Sequence, residues 1–298
     1  MLEAVERRIG HYIDELEDRD AAALYARLPA GKRLRARLIL TIAGSGPAAI
    51  KTAAVVEMIH AASLLHDDVI DDAFVRRGRP SLNALYGNKT SIMFGDVLYS
   101  KAFHELVDID RRVARVVSAA VVELSLGERR DLLLSQSFNT DREVYLHMIY
   151  QKTASLIEAA SEAAAILAGK NPDAYRTYGR NLGIAFQMID DLLDITQSAE
   201  QLGKPAMHDF QEGKTTLPYI YLHEALGEAD RERLLAMHGR PVTEENAAWI
   251  RGKMAETGAL ERARGEAEAL VNEAIGLMKR EREPALEAMA RKMIERDY

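Results

Sequence analysis

Between Ser63 and Ser81 the chain reads SLLHDDVIDDAFVRRGRPS, placing four carboxylates within six residues and two arginines just beyond. Folding alone gives no reason to crowd like charges this way, so the cluster calls for cations. Asp67, Asp68 and Asp71 spell DDxxD, with Asp72 as a fourth acid. On a helix, residues four apart share a face one turn apart, so Asp67 and Asp71 can share ligands. A second DDxxD, formed by Asp190, Asp191 and Asp194, lies in GIAFQMIDDLLDITQ. Its apolar flanks put these acids at the edge of a core, where ionised carboxylates require cations. Oxygen ligands without cysteine or clustered histidine point to Mg²⁺, which keeps waters and borrows further ligands from substrate phosphates. A lone DDxxD fits a solvated face or a cap cluster equally well. Two copies embedded in apolar helix do not, and neither has calcium-loop spacing.

The basic residues supply the counterpart. AGKRLRARL carries Lys32, Arg33, Arg35 and Arg37. At helical spacing, Lys32 pairs in direction with Arg35, and Arg33 with Arg37. Arg76 and Arg77 follow the first acidic motif at once, and forked guanidinium groups suit diphosphate oxygens. His60 lies seven residues before Asp67, at nearly the same azimuth; it is either a satisfied core residue or a partner of the carboxylates. YQKTASL supplies Lys152 and Thr153, and LGKPAMHDFQEGKTTLP supplies Lys204 and Lys214. The Gly-Lys pairs lack Walker spacing and read as a loop closing over phosphate or as polar turns. The inventory suits a metal-bound diphosphate leaving group plus a second diphosphate held by side chains. No Ser/His/Asp or Cys/His arrangement is evident.

Helices must position these groups. Leu2, Val5, Ile9, Ile13 and Leu16 form an amphipathic stripe. VARVVSAAVVELSL, Val113 to Leu126, is apolar nearly all round and predicts a helix buried centrally or against another subunit. TASLIEAASEAAAILAG stops at Gly169, with Pro172 just beyond. Thr243 with Glu244 and Glu245 marks an N-cap, and Gly258 the matching stop. Strand signals are almost absent, which predicts one all-α domain of about ten or more helices. The 298 residues allow one large core or two ordinary domains. A net charge of −7 argues against nucleic-acid binding. The absence of cysteine excludes disulfides and thiolate metal sites and fits a reducing cytosol. No apolar signal core opens the chain, and no uninterrupted apolar run reaches spanning length.

These motifs resemble the trans-polyprenyl diphosphate synthases, nearest to bacterial octaprenyl and heptaprenyl diphosphate synthases. GKRLR, HAASLLHDDVIDD with RRG, Gly95-Asp96, Lys152-Thr153, FQMIDDLLD and GKTTLP carry the likeness over roughly residues 30 to 220. The C-terminal third shows only general helical character. The resemblance implies a single all-α domain over 1–298 around a deep central cavity, a cytoplasmic homodimer, and two or three substrate-bridged Mg²⁺ ions. It implies at most peripheral membrane contact, through the product. By the family pattern, Asp67, Asp71 and Asp68 bind Mg²⁺ at the allylic diphosphate, with Asp190 and Asp194 across the cavity. Lys32, Arg35, His60 and Arg77 match the isopentenyl diphosphate pocket; Arg76, Lys152, Thr153, Gln187 and Lys204 match allylic-side positions.

The implied reaction ionises an allylic diphosphate such as farnesyl diphosphate. Isopentenyl diphosphate then attacks, and the released diphosphate takes the proton. Chain length is expected from what lies below the first motif. Ser63 is one turn before Asp67, Ala62 is its neighbour, and Ile59, Val56 and Val55 continue the wall. Short-chain members of the family place an aromatic residue at one of the first two positions. Ala and Ser here predict a medium-to-long product, octaprenyl first, for a quinone side chain. Short-chain farnesyl or geranylgeranyl synthesis is the alternative. A non-catalytic subunit of a heteromeric synthase is another, but such subunits lack the aspartates that are complete here.

Overall fold

The computed structural model describes residues 1–29, 31–197 and 207–294. Among these, the only strands are a pair of two residues each, and most of the rest is helix, as the sequence predicts. The described residues fall into two compact units, Met1–Val122 with Leu156–Arg176, and Glu123–Ser155 with Thr177–Tyr298.

The first unit is organised on α4 (Pro47–Ile70), which packs against α6 (Asn88–Leu106), α3 (Leu34–Ala43) and α1 (Leu2–Asp14). Pro47 suits the first turn because its missing N–H would have no intrahelical partner there. The middle of α4, including Ala53, Ala54, Val55, Val56, Met58, Ile59 and Ala62, is completely buried. A helix apolar on every side belongs in the middle of a bundle. Among the described residues, α4 is also the one helix long and apolar enough to cross a bilayer, yet 61% of the qualifying window is buried inside the protein. The amphipathic α1 buries Val5, Ile9 and Ile13, as its spacing predicts. Short helices α2 (Arg19–Tyr25) and α5 (Leu82–Tyr86) complete the connections.

Downstream of α4 a hairpin joins β1 (Val75–Arg76) to β2 (Arg79–Pro80). Its two-residue loop is Arg77-Gly78, both at positive φ (52° and 71°), as a type I′ turn requires. Arginine is an expensive choice at that first position, where Asn or Gly fits better.

The second unit contains the later part of α7 (Arg111–Leu134), α8 (Arg142–Ile149), the start of α9 (Ser155–Ala168) and most of α10 (Pro172–Thr196). Asp141 caps α8 by accepting from the Glu143 and Val144 amides. Between α8 and α9, Tyr150–Ala154 forms a π-helical turn. Short α11 (His208–Gln211) and α12 (Leu217–Ala225) follow, then α13 (Glu228–Met237), α14 (Glu244–Thr257), α15 (Ala259–Glu281) and α16 (Pro284–Ile294). Thr243 caps α14 by accepting from the Asn246 amide, and Gly258 stops it at φ 69°, both as expected. Gly169 ends α9 in the left-handed region, with the Lys170 amide reaching back to the Ala165 carbonyl.

The helix predicted to be apolar all round has two faces. Val113, Val117, Ala120 and Leu124 of α7 are buried, whereas Val122, Leu126 and Leu133 are about half exposed.

Candidate active site

In the first unit the acidic motif sits on the last turn of α4 and its cap. Asp67 and Asp68 belong to the helix, Asp71 is the C-cap, and Asp72 lies beyond it at φ 48°. The helix stops in a Schellman arrangement: the Ala73 amide bonds the Asp68 carbonyl (2.9 Å) and the Asp72 amide the Val69 carbonyl (3.4 Å). Glycine usually holds the position Asp72 takes. The helix therefore ends within the motif, a departure from a motif carried wholly on one helical face. It also means that four carboxylates gather at the negative end of a helix dipole, where cations are favoured. Four acids in six residues at that end of the helix favour a bound cation.

Asp68 is already spoken for. It is only 3% exposed. Its Oδ1 accepts from Arg76 Nε at 2.5 Å, and Asn83 Nδ2 donates to its carbonyl at 3.0 Å. Burial pushes its carboxyl up, with Arg76 pulling the other way. The structure thus places Arg76, matched to the allylic side, as the partner of Asp68.

The basic partners converge on His60. Burial holds its imidazole well below the usual range, and Arg35, Arg77, Arg76 and Arg33 add to the effect, in that order. His60 is therefore neutral among four guanidinium groups. Arg35 is pulled down by burial, with only Glu57 opposing, and its Nε is buried without a hydrogen-bond partner among the described residues. Arg77 lies over Gly31: a Cβ there would meet its guanidinium nitrogen at 2.9 Å, so Gly31 of GKRLR makes room for it. The buried, unpartnered Nε of Arg35 leaves the cluster a donor that an anion can take up.

Arg33 plays a different part. It precedes α3 in the left-handed region, so helical pairing with Arg37 does not apply, and it binds Glu6 (2.6 Å) and Glu57 (3.4 Å). Glu57, 3% exposed, also accepts from the Ala36 amide at 2.9 Å, tying the start of α3 to α4. This residue escapes a motif search, although a single Glu in apolar AAVVEMIHAAS, three residues before His60, is a visible signal. Arg37 donates to the Lys32 carbonyl at 2.9 Å, and Lys32 is exposed. Gly95 also has a packing reason: a Cβ there would stand 2.4 Å from His66 Nε2, and that ring approaches Asp96 at 3.5 Å.

In the second unit the other acidic motif lies within α10. Asp191 and Asp194 are buried and Asp190 is half-buried. Thr153 donates to Gln187 Oε1 (2.8 Å), Gln187 Nε2 to Asp191 Oδ1 (2.8 Å), and Tyr145 to Asp191 Oδ2 (2.6 Å). Burial and then Asp209 push the Asp191 carboxyl up, while the two donors resist. Asp194 accepts from the Asp209 amide at 3.2 Å. Lys152, Thr153, Gln187, Asp191, Asp209 and Lys214 surround one cavity of about 110 Å³. Lys214 pairs with Glu212 at 2.8 Å. Lys204 lies outside the described residues.

The π-turn is closely packed. A Cβ at Gly127 would fall 2.4 Å from the Lys152 amide nitrogen, and one at Gly183 would fall 2.6 Å from Ala154 Cα. Glycines on α7 and α10 therefore let both helices close on the turn that presents Lys152 and Thr153. Such π-turns collect at functional sites. A larger cavity of about 400 Å³ is lined by Arg142, Tyr150, Arg180 and Glu266 among others, and none of the motif acids reaches it.

Of the residues expected to set chain length, Ala62 and Ile59 are fully buried. Ser63 is half-buried, and its hydroxyl bonds the His60 carbonyl at 3.0 Å. Of these three, Ser63 alone keeps some exposure.

Among the described residues, no three acidic or histidine side chains converge as a metal cage. The donors nevertheless suit Mg²⁺, which takes one or two carboxylates per ion and completes its shell with water and phosphate oxygens.

Comparison with known proteins identifies the family. The polyprenyl synthetase family profile matches residues 19–251. The short chain isoprenyl diphosphate synthase of Methanothermobacter thermautotrophicus is 39% identical over 221 residues, 70% of this chain and 68% of that protein. The octaprenyl diphosphate synthase of Escherichia coli is 42% identical over 199 residues, 64% of this chain and 62% of that protein. The crystal structure of octaprenyl pyrophosphate synthase from Helicobacter pylori superposes with a TM-score of 0.94 at 40% identity, covering 99% of this chain and 98% of that one. The chain therefore belongs to the polyprenyl synthetase family of prenyltransferases.

Proposed function

We propose that this chain is a trans-polyprenyl diphosphate synthase, adding isopentenyl diphosphate head to tail onto an allylic diphosphate such as farnesyl diphosphate. The favoured product is octaprenyl diphosphate, for a quinone side chain. What carries this reading is found in the first unit alone: carboxylates gathered at the negative end of α4 beside a cluster of guanidinium groups around neutral His60. Bound Mg²⁺, held by Asp67 and Asp71 and by Asp190 and Asp194, supplies Lewis-acid stabilisation of the departing diphosphate.

The side chains do the rest. Arg35, His60 and Arg77, with Lys32 at the rim, hold the diphosphate of isopentenyl diphosphate. Neutral His60 can donate a hydrogen bond without adding a fifth positive charge. Asp68 orients Arg76, and Lys152, Thr153 and Gln187 receive the allylic diphosphate, with Lys204 and Lys214 as further cations for it. The allylic C–O bond breaks, the isopentenyl double bond supplies the electrons of the new C–C bond, and the released diphosphate accepts the proton. Exclusion of water on substrate binding would protect the allylic cation.

The whole chain acts as one catalytic domain in a cytoplasmic homodimer, touching membrane only through its product. The half-exposed Val122, Leu126 and Leu133 of α7 are apolar positions that a second copy would cover. A short-chain product is the second reading, favoured by the name of the Methanothermobacter relative.

Arg77→Ala tests the two-pocket assignment. Losing a charge-assisted contact of about 1.5–3 kcal/mol should raise the KM for isopentenyl diphosphate roughly ten- to a hundredfold. The KM for the allylic substrate should stay nearly constant. Equal rises for both substrates would contradict separate pockets.

A further inference from the structure

Lys152 Nζ sits 2.6 Å from Asp131 Oδ2 and 3.0 Å from Glu128 Oε2. Both acids project from α7, three residues apart, so they share one face. Asp131 is 6% exposed, and the second oxygen of Glu128 is buried with no hydrogen-bond partner among the described residues. Gly127, just before them, brings the lysine's own backbone into contact with α7. One helix thus receives the π-turn through its glycine and the turn's side chain through its carboxylates. Neither acid belongs to a DDxxD motif.

We propose that Glu128 and Asp131 are positioning residues that hold Lys152 charged and aimed for the allylic diphosphate. The proposal rests on the assignment of Lys152 to that substrate.

The reason is electrostatic. The lysine side chain is partly withdrawn from water, with 23% of it exposed, and burial alone would favour its neutral form. Asp131 and then Glu128 more than offset this, and the lysine ends above its ordinary value. Lys214 pushes the other way. The other ionisable groups around the cavity are Tyr145 from α8, Asp191 from α10 and Asp209 from α11. Tyr145 and Asp191 are bonded to each other, and Asp209 adds its charge to theirs. Among the described residues, only the α7 pair is in direct ionic contact with Lys152. With that pair neutralised, burial and Lys214 act with little opposition. The lysine should then titrate below the ordinary value of about 10.4.

The test uses Glu128→Gln/Asp131→Asn, with Asp131→Asn alone as a milder partner. Each is assayed from pH 7 to 9.5 for kcat/KM of farnesyl diphosphate, with folding checked by circular dichroism at each pH. Wild type should show no fall attributable to Lys152. The double variant should lose activity progressively on the alkaline side, at least about tenfold relative to wild type by pH 9.5, mainly through KM. Adding Lys152→Arg, whose guanidinium does not titrate in this range, should remove that alkaline limb. A folded variant with the wild-type profile would overturn the proposal. So would a uniform loss at all pH values that arginine leaves unchanged, because a purely structural role gives that result. Should the double variant not fold, the single variant must show the same limb, shifted to higher pH and cured by arginine; its absence overturns the proposal. Wild type without any turnover of farnesyl diphosphate would instead contradict the assigned reaction.

Discussion

Asp67→Ala or Asp71→Ala should lower turnover at least about a thousandfold, ~4 kcal/mol of transition-state stabilisation, while leaving the metal-free protein as stable as wild type or slightly more so. The two effects have one cause. Both carboxylates stand at the end of α4, Asp67 in the last turn and Asp71 as the cap. Negative charge there opposes the helix dipole by about 0.3–1 kcal/mol per group, and their neighbours Asp68 and Asp72 add repulsion. Removing one relieves the fold and removes a ligand from the site. Asp68→Ala should behave differently. It is buried against Arg76, so truncation leaves a partly buried cation without its partner and costs stability of about 2–3 kcal/mol. Thermal melts without Mg²⁺, beside steady-state rates with it, separate the cases. Turnover above about a tenth of wild type for Asp67→Ala, a loss of only ~1.4 kcal/mol, would contradict the clamp.

Ser63→Phe should shorten the product from the proposed octaprenyl diphosphate to farnesyl or geranylgeranyl diphosphate, with the first condensation still fast. A chain anchored at Asp67 must pass the level one turn below, and Ser63 is the half-buried side chain there. A ring at that place fills the path of the tail without touching the diphosphate. Ala62→Phe offers a contrast. Ala62 has no exposed surface, so a ring there overpacks α4 and should cost about 1–3 kcal/mol of stability. Product sizing by thin-layer chromatography or mass spectrometry decides. An unchanged distribution from folded, active Ser63→Phe would show that the tail runs elsewhere.

The sequence makes the helical fold legible because breakers fall where helices end: Thr243 and Gly258 bound α14, and Gly169 closes α9. The two DDxxD spacings and the adjacent arginines are legible because they repeat a recognisable chemistry. What pairs with what is not. Nothing in the spelling RRG says that Arg76 turns to Asp68 while Arg77 takes a strained turn over Gly31. The end of α4 is hidden because its left-handed residue is Asp72, where glycine would have announced it. The π-turn over YQKTA packs against glycines on two other helices, so no local pattern reveals it. Glu57, Glu128 and Asp131 matter through partners 21 or more residues away, except that Glu57 stands three residues from His60.

The most direct test incubates the purified chain with farnesyl diphosphate, radiolabelled isopentenyl diphosphate and Mg²⁺, then sizes the products after phosphatase treatment. Mg²⁺-dependent elongation with octaprenol as the main alcohol is expected. Folded protein that leaves farnesyl diphosphate unextended, or turns it into hydrocarbon without incorporating label, would contradict the proposed synthase.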